Sequence, residues 1–369
     1  MSESAHPAPP VRSVDLDVDS DAADAGAFTV LTSPDAFTAS WFTAALRGRY
    51  PGVEVSAFEV LEETTGVTTR HRVALDYAAG SGPRSVFVKT TTDATHDELF
   101  GAQEARLYTC GEQLPLEMPR CYASATDGDR SVLVLEDLTG RDASMNLALT
   151  PFTVDAARSG LAGLGAMHAR YWGERLSQSP SMNWVEPFKY ALFAENADQV
   201  ASYVAGRAEE LGMLDLLPPR LRDLRVLVPW WGLPPEPGPR TLVHGDPHVG
   251  NTYTLPDSSI GFLDWQLASE SSWEHDIGYF LIGCLNVEDR RRHERELLEG
   301  YLDGLRVGGA MPPTFDEAWA RYRRAPVYGL VVWLLTATTT DAHLQSVCDE
   351  CTTRFAAAFE DLETEAAFG

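Results

Sequence analysis

Three polar side chains near the middle of the chain have the types and the spacing that phosphate chemistry requires: Asp246, Asn251 and Asp264. Hard cations such as Mg²⁺ take oxygen ligands, usually a carboxylate or two together with phosphate oxygens. The amide of Asn251 and the carboxylate of Asp264 meet that description, which leaves Asp246 to hold an attacking hydroxyl group. The three residues therefore indicate phosphoryl transfer assisted by a metal ion.

The pattern around these residues predicts that they converge. Two β-prone runs, 252–255 and 260–263, flank the sequence PDSS, which is typical of a hairpin turn. Because a hairpin brings its two ends together, Asn251 before the first strand should lie beside Asp264 after the second. Asp246 lies in the loop before the hairpin and is expected on the same side as these two residues. The alternative is an HxD loop between two strands whose polar residues only cap turns.

A lysine and a glutamate upstream form a second pair of candidates. Lys89 ends the apolar run SVFV, and a charged group held there needs a partner or a ligand. Residues 93–113 have the apolar spacing of a helix, and Glu104 lies within it as a candidate partner. Taken alone, the pair is explained equally well by a surface lysine and a solvated helix face.

Two further stretches lie next to predicted strands. Residues 64–69 form a turn of small residues between two alternating runs, where the backbone at Gly66 and Thr68 can approach phosphates. An ordinary β-turn is the alternative at that position. Glu136 and Leu138 lie where an apolar strand runs into a linker, close to a boundary between two parts of the chain.

Composition narrows the class of protein. The 369 residues include 29 Lys and Arg against 54 Asp and Glu, and the net charge of −25 argues against binding to nucleic acid or to an anionic membrane. That charge suits a cationic substrate, although a generally acidic surface explains it as well.

Five cysteines, an odd number, do not form a disulfide framework and favour a reducing cytoplasm. No apolar run reaches the ~18 residues that a membrane span needs, and the first residues do not have the pattern of a signal peptide.

Changes in pattern divide the chain into three parts. Residues 1–27 are rich in Asp, Ala, Ser and Pro, which predicts a disordered tail. Residues 28–138 open with a helix start signal at Ser33-Pro34 and continue mainly as strands and turns. Residues 139–369 are mainly helical, with helices expected over 288–305, 315–338 and 343–365. The sequence LVPWWGLPPEPGP in this part is either the lining of an acceptor pocket or a plain packed connection.

The order of these features resembles the aminoglycoside phosphotransferase and choline kinase superfamily of the protein-kinase-like fold. The features are the strand lysine, the helix glutamate, the block HGDPHVGN, the hairpin followed by an aspartate, and the sequence WEHD. Within the superfamily, the opening SPDAFTASWFTAALR and the segment AMHARYW look most like the bacterial ecdysteroid kinase-like subgroup. The likeness spans residues 28–365.

The resemblance implies an α+β, two-lobed fold, with a small antiparallel-sheet N-lobe over 28–138 and a large, mainly helical C-lobe over 139–369. It implies a cytoplasmic kinase that uses ATP and Mg²⁺ to phosphorylate a hydroxyl group of a small molecule, with no nucleic-acid or membrane partner. In this reading Asp246 orients the hydroxyl and accepts its proton, and Asn251 and Asp264 hold Mg²⁺. Whether the protein is a monomer or a homodimer stays open.

The resemblance also implies roles for the remaining candidates. Lys89, oriented by Glu104, would hold the α- and β-phosphates, and the backbone between Glu136 and Leu138 would meet the adenine. A loop at Gly66 and Thr68 would cover the nucleotide.

Three further residues would support the catalytic loop: His244, His248 and Asp276. For the two histidines, a role as acid–base groups is the alternative, whereas Asp276 would brace the loop without touching substrate. His168, in an apolar helical stripe, is interpreted as a structural histidine.

The acceptor stays open at this point. A kinase for a small metabolite or natural product and an antibiotic-resistance phosphotransferase of the aminoglycoside or macrolide type fit the sequence equally. A catalytically inactive kinase-like binding protein would be expected to have lost Lys89, Asp246 or Asp264. A protein kinase is disfavoured, because no APE sequence follows Asp264 and the segment between Trp265 and Trp273 is too short for an activation loop.

Overall fold

The computed structural model describes most of the chain. The described residues are 28–31, 36–65, 68–91, 102–128, 130–190, 194–340 and 343–369. The predicted disordered tail, the start signal at Ser33-Pro34, Gly66 and the first part of the predicted helix 93–113 lie outside them.

The chain forms two compact units that alternate along the sequence. The first unit comprises the chain up to Thr109 together with Pro119–Arg141, and the second comprises Cys110–Met118 and Asp142–Gly369. The chain therefore passes from one unit to the other at 109/110, 118/119 and 141/142.

The first unit is built on a five-stranded antiparallel sheet with the strand order β1-β2-β3-β5-β4. Its strands are β1 (Glu54–Thr65), β2 (Thr69–Ala79), β3 (Ser85–Thr91), β4 (Cys121–Asp127) and β5 (Arg130–Glu136). Its helices within the described residues are α1 (Ala39–Leu46) and α2 (Gln103–Thr109).

Alternating side chains explain why this sheet has a helix on each face. On one face, valines of β2, β3 and β5 pack with Trp41 and Phe42 of α1. On the other face, Leu133 and Leu135 of β5 pack with Ala105 of α2. Because successive side chains of a strand point to opposite faces, one apolar strand can serve both helices.

The two helices described in the first unit have ends that local chemistry explains. Thr38 caps α1, because its hydroxyl oxygen accepts the N–H of Trp41 at 3.1 Å. Helix α2 ends at Thr109, short of the predicted residue 113, because Gly111 has a φ of +78° and left-handed backbone does not continue a helix.

The second unit is mainly helical. Its helices are α3 (Val154–Arg170), α4 (Glu174–Ser177), α5 (Ala197–Glu210), α6 (Glu274–Cys284), α7 (Val287–Val307), α8 (Phe315–Tyr322), α9 (Pro326–Thr339), α10 (Gln345–Asp361) and α11 (Thr364–Ala367). Its short strands are β6 (Ser144–Met145), β7 (Thr241–Val243), β8 (Thr252–Thr254), β9 (Ile260–Phe262) and β10 (Ser269–Ser271). They form two small antiparallel sheets, β10-β7 and β6-β8-β9.

The predicted helix 315–338 is divided into α8 and α9. Pro326 occupies the first turn of α9, where its missing N–H leaves no helical hydrogen bond unmade. Within the described residues no helix is long and apolar enough to cross a membrane. An antiparallel-sheet unit followed by a larger helical unit confirms the predicted α+β class.

The segment Cys110–Met118 contacts the β8–β9 hairpin of its own unit. The backbone carbonyl of Glu117 accepts the N–H of Phe262 at 2.9 Å, and its side chain accepts the hydroxyl hydrogen of Tyr253 at 2.8 Å. Glu117 also forms a parallel bridge with Gly261. This segment thus extends the small sheet that ends beside Asp264.

The contact between α9 and α10 gives a test of the packing. Gly329 lies against the buried ring of Phe355, and a methyl group at this position would overlap the ring. We expect Gly329→Ala to destabilise the second unit by about 1–3 kcal/mol, or roughly 3–8 °C in Tm, because overpacking displaces a side chain with no room to move.

Gly300→Ala in α7 is the matched control, since a Cβ there meets nothing within 4 Å. It should leave Tm unchanged or raise it, because alanine favours the helix over glycine by ~1 kcal/mol. Calorimetric melting of both variants checks the prediction, and equal Tm values for the two would contradict it.

Candidate active site

A short buried strand, β7, leads into the loop that carries Asp246. The strand pairs antiparallel with β10, and His244 and Gly245 follow it directly. Gly245 has a φ of +87°, and a Cβ on it would overlap the carbonyl oxygen of Leu267. Glycine is required here because both the left-handed backbone and the close approach exclude a side chain. The sequence HGD consequently fixes the direction in which Asp246 leaves the strand.

One buried carboxylate holds this loop from behind. Asp276, in the first turn of α6, accepts the backbone N–H of His244 at 2.7 Å and that of Gly245 at 2.9 Å. Burial opposes the charge of Asp276, but the hydrogen bond with His168 (3.2 Å) and the surrounding histidines lower its pKa below the usual value. The ionised carboxylate therefore fixes the two peptide N–H groups that precede Asp246.

Two buried histidines hold the same backbone. His244 donates its Nε2–H to the carbonyl of Leu263 at 2.8 Å, and its Nδ1 accepts the N–H of Asp246 at 3.3 Å. His275 donates its Nε2–H to the carbonyl of Gly245 at 2.9 Å. Burial lowers the pKa of both rings. Both are therefore neutral, and the carbonyl partner determines which ring nitrogen carries the hydrogen.

Asp246 lies at the centre of the site with part of its side chain open. Its Oδ2 accepts a hydrogen bond from the amide of Asn251 at 3.1 Å, and the same amide reaches the backbone oxygen of Asp246 at 3.0 Å. Tyr279 is close enough to favour the ionised form of the carboxylate. Burial, and then the charge of Asp264, raise the pKa of Asp246 well above its usual value. Because 28% of its side chain remains exposed, the carboxylate can also meet a ligand.

His248 is a neutral neighbour of this carboxylate. Burial lowers the pKa of His248 to about 3, and His343 adds to the effect. Its Nδ1 accepts the N–H of Gly250 at 3.0 Å and caps the turn Val249–Asn251. The hydrogen is therefore on Nε2, which lies 3.7 Å from Oδ2 of Asp246. This ring supports the loop, and because it is neutral at neutral pH it does not act as a general acid.

The hairpin places Asn251 beside Asp264. Strands β8 and β9 pair antiparallel with Thr252 opposite Phe262, and the N–H of Leu263 donates to the carbonyl of Asn251 at 2.8 Å. This pairing confirms the predicted hairpin and brings the residues at its two ends together. Asp264 has a φ of +60°, which is uncommon for a residue other than glycine, so the backbone sets the direction of its carboxylate.

The donor set at the end of the hairpin fits Mg²⁺. The amide nitrogen of Asn251 is bonded to Asp246, so its amide oxygen points elsewhere, and Asp264 adds a carboxylate. The charge of Asp264 raises the pKa of Asp246, and a divalent cation would relieve that repulsion. Across the described ranges, no three His, Cys, Asp or Glu side chains are grouped so that they could hold a metal ion. One amide and one carboxylate would share the ion with phosphate oxygens.

In the first unit, the structure brings Lys89 and Glu104 together. The ammonium nitrogen of Lys89, on β3, lies 2.6 Å from Oε2 of Glu104 in the first turn of α2, and both side chains are buried. Desolvation makes a buried ion pair weak evidence of stabilisation.

The other candidates of the first unit lie at the ends of its strands. Thr68 is buried directly before β2. Glu136 ends β5, and its side chain accepts the backbone N–H of Arg120 at 3.3 Å. Leu138 begins the short 3₁₀ turn that follows, and Gly66 lies outside the described residues.

Sequence reasoning missed two tyrosines near Asp246. Tyr279 lies one helical turn after Asp276 on α6, so helical spacing could have placed it at the site. Tyr328 of α9 lies within electrostatic range of Asp246 and packs against Tyr279, with the ring centroids 5.4 Å apart. It comes from a distant segment, and no local pattern signals its position.

A model of the phosphotransferase enzyme family matches residues 72–323. The chain therefore belongs to this family and is a phosphotransferase. The match confirms the predicted assignment to the aminoglycoside phosphotransferase and choline kinase superfamily. The resemblance to the ecdysteroid kinase-like subgroup stays a prediction.

Solved structures similar to this chain include three phosphotransferases. Spectinomycin phosphotransferase APH(9)-Ia, solved with ADP and spectinomycin, is 14% identical with a TM-score of 0.50, over 89% of this chain and 99% of the other. Macrolide 2′-phosphotransferase MphH from Brachybacterium faecium is 16% identical with a TM-score of 0.44, over 84% and 98%. An ethanolamine kinase from Plasmodium vivax is 14% identical with a TM-score of 0.46, over 83% of each chain. The first of these shows the fold and confirms the predicted kinase-like class. No curated protein matches the chain.

The raised pKa of Asp246 leads to a prediction about stability. We expect Asp246→Asn to raise the Tm of the metal-free protein by roughly 1–3 °C, because the folded state no longer holds a carboxylate that burial and Asp264 disfavour. A group whose pKa is raised on folding weakens the folded state at pH values where it is ionised. The increase in Tm of the variant should therefore be present at neutral pH and become smaller near pH ~4, the usual aspartate pKa.

Thermal unfolding with a chelator at the two pH values measures this effect. A lower Tm of the variant than of the wild type at neutral pH would contradict the prediction.

The contacts of Asp276 lead to a prediction about activity. In Asp276→Asn, a neutral amide can point only one oxygen at the N–H groups of His244 and Gly245, and its NH₂ group opposes the other. We expect kcat to fall by about 100-fold, because the displaced loop misplaces Asp246.

Asp289→Asn, in the first turn of α7, is the matched control and should retain kcat. Steady-state kinetics of both variants give the comparison. An Asp276→Asn enzyme with a wild-type kcat would show that the loop does not depend on this carboxylate.

Proposed function

We propose that the chain is an ATP-dependent kinase that transfers the γ-phosphoryl group to a hydroxyl of a small metabolite or natural product. One observation carries the proposal: a partly open Asp246, held by a braced loop, lies beside the donor set of Asn251 and Asp264. The family supplies the class of reaction, phosphoryl transfer. The three residues supply the groups that in-line transfer to an alcohol requires.

Asp246 orients the acceptor hydroxyl and takes its proton as the new O–P bond forms. Asn251 donates a hydrogen bond to one oxygen of the carboxylate, and the exposed part is left for the acceptor. A raised pKa makes transfer of the proton to the carboxylate less unfavourable. Because the transition state is loose, orientation contributes more than proton removal does.

Four residues are assigned to the phosphates. Asn251 and Asp264 would hold Mg²⁺, which when bound neutralises charge on the phosphate oxygens. Lys89, fixed by its ion pair with Glu104, binds the α- and β-phosphates of the nucleotide.

The nucleotide contacts complete the proposal. The backbone between Glu136 and Leu138 binds the adenine, and the backbone at Thr68 approaches the phosphates; Gly66, the other predicted contact, lies outside the described residues. The spectinomycin phosphotransferase of similar fold was solved with ADP, in agreement with a nucleotide donor.

The deciding experiment measures ADP release with Mg²⁺ across a panel of hydroxylated acceptors. The panel contains sugars, uncharged ring alcohols, choline, ethanolamine, aminoglycosides and macrolides, and Asp246→Ala is the blank. Acceptor-dependent release that the blank does not show supports the kinase. If ADP is released with an aminoglycoside or a macrolide but with no other acceptor of the panel, the result favours a resistance enzyme. Such an enzyme differs in its acceptor but uses the same chemistry. ADP release that is equal in Asp246→Ala would overturn the role of this residue.

The assignment of Asp264 gives a further prediction. Asp264→Ala removes the carboxylate of the metal site, so Mg²⁺-dependent turnover should fall by at least about 1000-fold. Asp257→Ala, in the exposed turn of the same hairpin, is the matched control and should keep its activity.

Measuring turnover against Mg²⁺ concentration separates the two variants. Substantial Mg²⁺-dependent activity in Asp264→Ala would count against the assignment.

A further inference from the structure

A second cation lies beside Lys89 on the five-stranded sheet of the first unit. Arg70 of β2 is directly opposite Lys89 of β3 in the antiparallel register. Directly opposite residues of such a pair point to the same face of the sheet, with Cβ atoms about 5 Å apart. The burial pattern agrees, because the neighbouring pair, His71 and Val88, is fully buried on the other face. Arg70 therefore points to the face that carries Lys89 and Glu104.

A local hydrogen bond directs the guanidinium group of Arg70 towards the start of β2. Its Nε donates to the hydroxyl oxygen of Thr68 at 3.3 Å. Thr68 directly precedes β2, in the turn whose backbone is assigned above to the phosphates. Because an arginine has five N–H donors, this bond is compatible with a bidentate contact to a phosphate group. The side chain of Arg70 is half-buried, so a ligand can reach it.

The charges on this face favour a ligand that carries several negative charges. Two cations at directly opposite positions of a sheet repel each other. Glu104 is bonded to Lys89 at 2.6 Å, whereas the hydroxyl group that orients Arg70 carries no charge. A polyanion attracts both cations and relieves their repulsion when it binds. The two cations together therefore favour a polyphosphate over a ligand with a single charge.

Two features of the sequence make a second cation useful here. The chain has a net charge of −25, so a polyanionic nucleotide needs a local concentration of positive charge in order to bind. Residues 64–69 contain a single glycine, and glycine is the residue that lets a backbone approach a ligand most closely. An arginine side chain beside this turn supplies N–H donors that reach further than backbone amides do.

We infer that Arg70 binds the phosphate chain of the nucleotide jointly with Lys89. Its planar guanidinium group donates to two phosphate oxygens at once, whereas the ammonium group of Lys89 acts as a point charge. Arg70 is thus a binding residue that distinguishes a nucleotide from its nucleoside. The inference rests on the proposed function, since the contact of Lys89 with the phosphates is part of that proposal.

The test compares ATP with adenosine, which has the same base and sugar but no phosphate. Isothermal titration calorimetry with Mg²⁺ and without an acceptor gives the Kd of each ligand for the full chain. Arg70→Gln removes the charge, and Arg70→Lys keeps the charge but loses the bidentate geometry. Arg84→Gln is the matched control, because Arg84 is exposed just before β3 and lies about 16 Å from Lys89 along that strand.

The expected result is a loss of affinity that depends on the phosphates. Arg70→Gln should raise the Kd of ATP by about tenfold or more and change that of adenosine by less than about twofold, because a charged hydrogen bond to phosphate is lost. Arg70→Lys should raise the Kd of ATP by about threefold, since one point charge replaces two parallel hydrogen bonds. Arg84→Gln should bind both ligands as the wild type does. Arg70→Lys keeps the test valid if Arg70→Gln does not fold, because it preserves the charge of the sheet.

Two results would overturn the inference. Equal weakening of ATP and adenosine in Arg70→Gln would show that the arginine only shapes the sheet, and an unchanged Kd of ATP in both Arg70 variants would show that it does not meet the phosphates. The proposed function fails by a different measurement, which is a wild-type chain that does not bind ATP. The two failures are therefore distinguishable.

Discussion

The position of Asp246 depends on the buried carboxylate of Asp276. Two consecutive peptide N–H groups and one histidine meet its charge, so that an ionised group is stable where water is absent. This interaction ties the end of β7 to the first turn of α6. The loop that carries the proposed base is consequently held by a strand and a helix, and sites on such elements are positioned more accurately than sites on free loops.

Local spacing in the sequence was enough to predict the centre of the site. The β8–β9 hairpin follows from two short apolar runs and a turn sequence, and its ends bring Asn251 and Asp264 together. The order of features along the chain led to Lys89 and Glu104, which meet in a buried ion pair. The α+β class was implied by the family resemblance, and the change from strand to helix patterns along the chain agrees with it. Helix ends were less accurate, since single residues such as Gly111 and Pro326 set them.

Contacts between distant segments could not be read from the sequence. Tyr328 reaches the neighbourhood of Asp246 only through the packing of α9 on α6. The net charge of −25 left open either a cationic substrate or a generally acidic surface. Ion pairs such as Arg324 with Glu236 cancel charge locally, so the total charge does not give the charge of any one region of the molecule.

The alternation of the two units along the chain constrains how this protein can be divided or recombined. Residues 110–118 belong to the second unit, although they are encoded between two parts of the first. Through Glu117 they complete the small sheet whose end carries Asp264. A gene fragment that starts at residue 142 would encode the loop that carries Asp246 but would leave that sheet incomplete. An exchange of the second unit between relatives must therefore carry two separate stretches of coding sequence together, and a single crossover would separate the β8–β9 hairpin from its support.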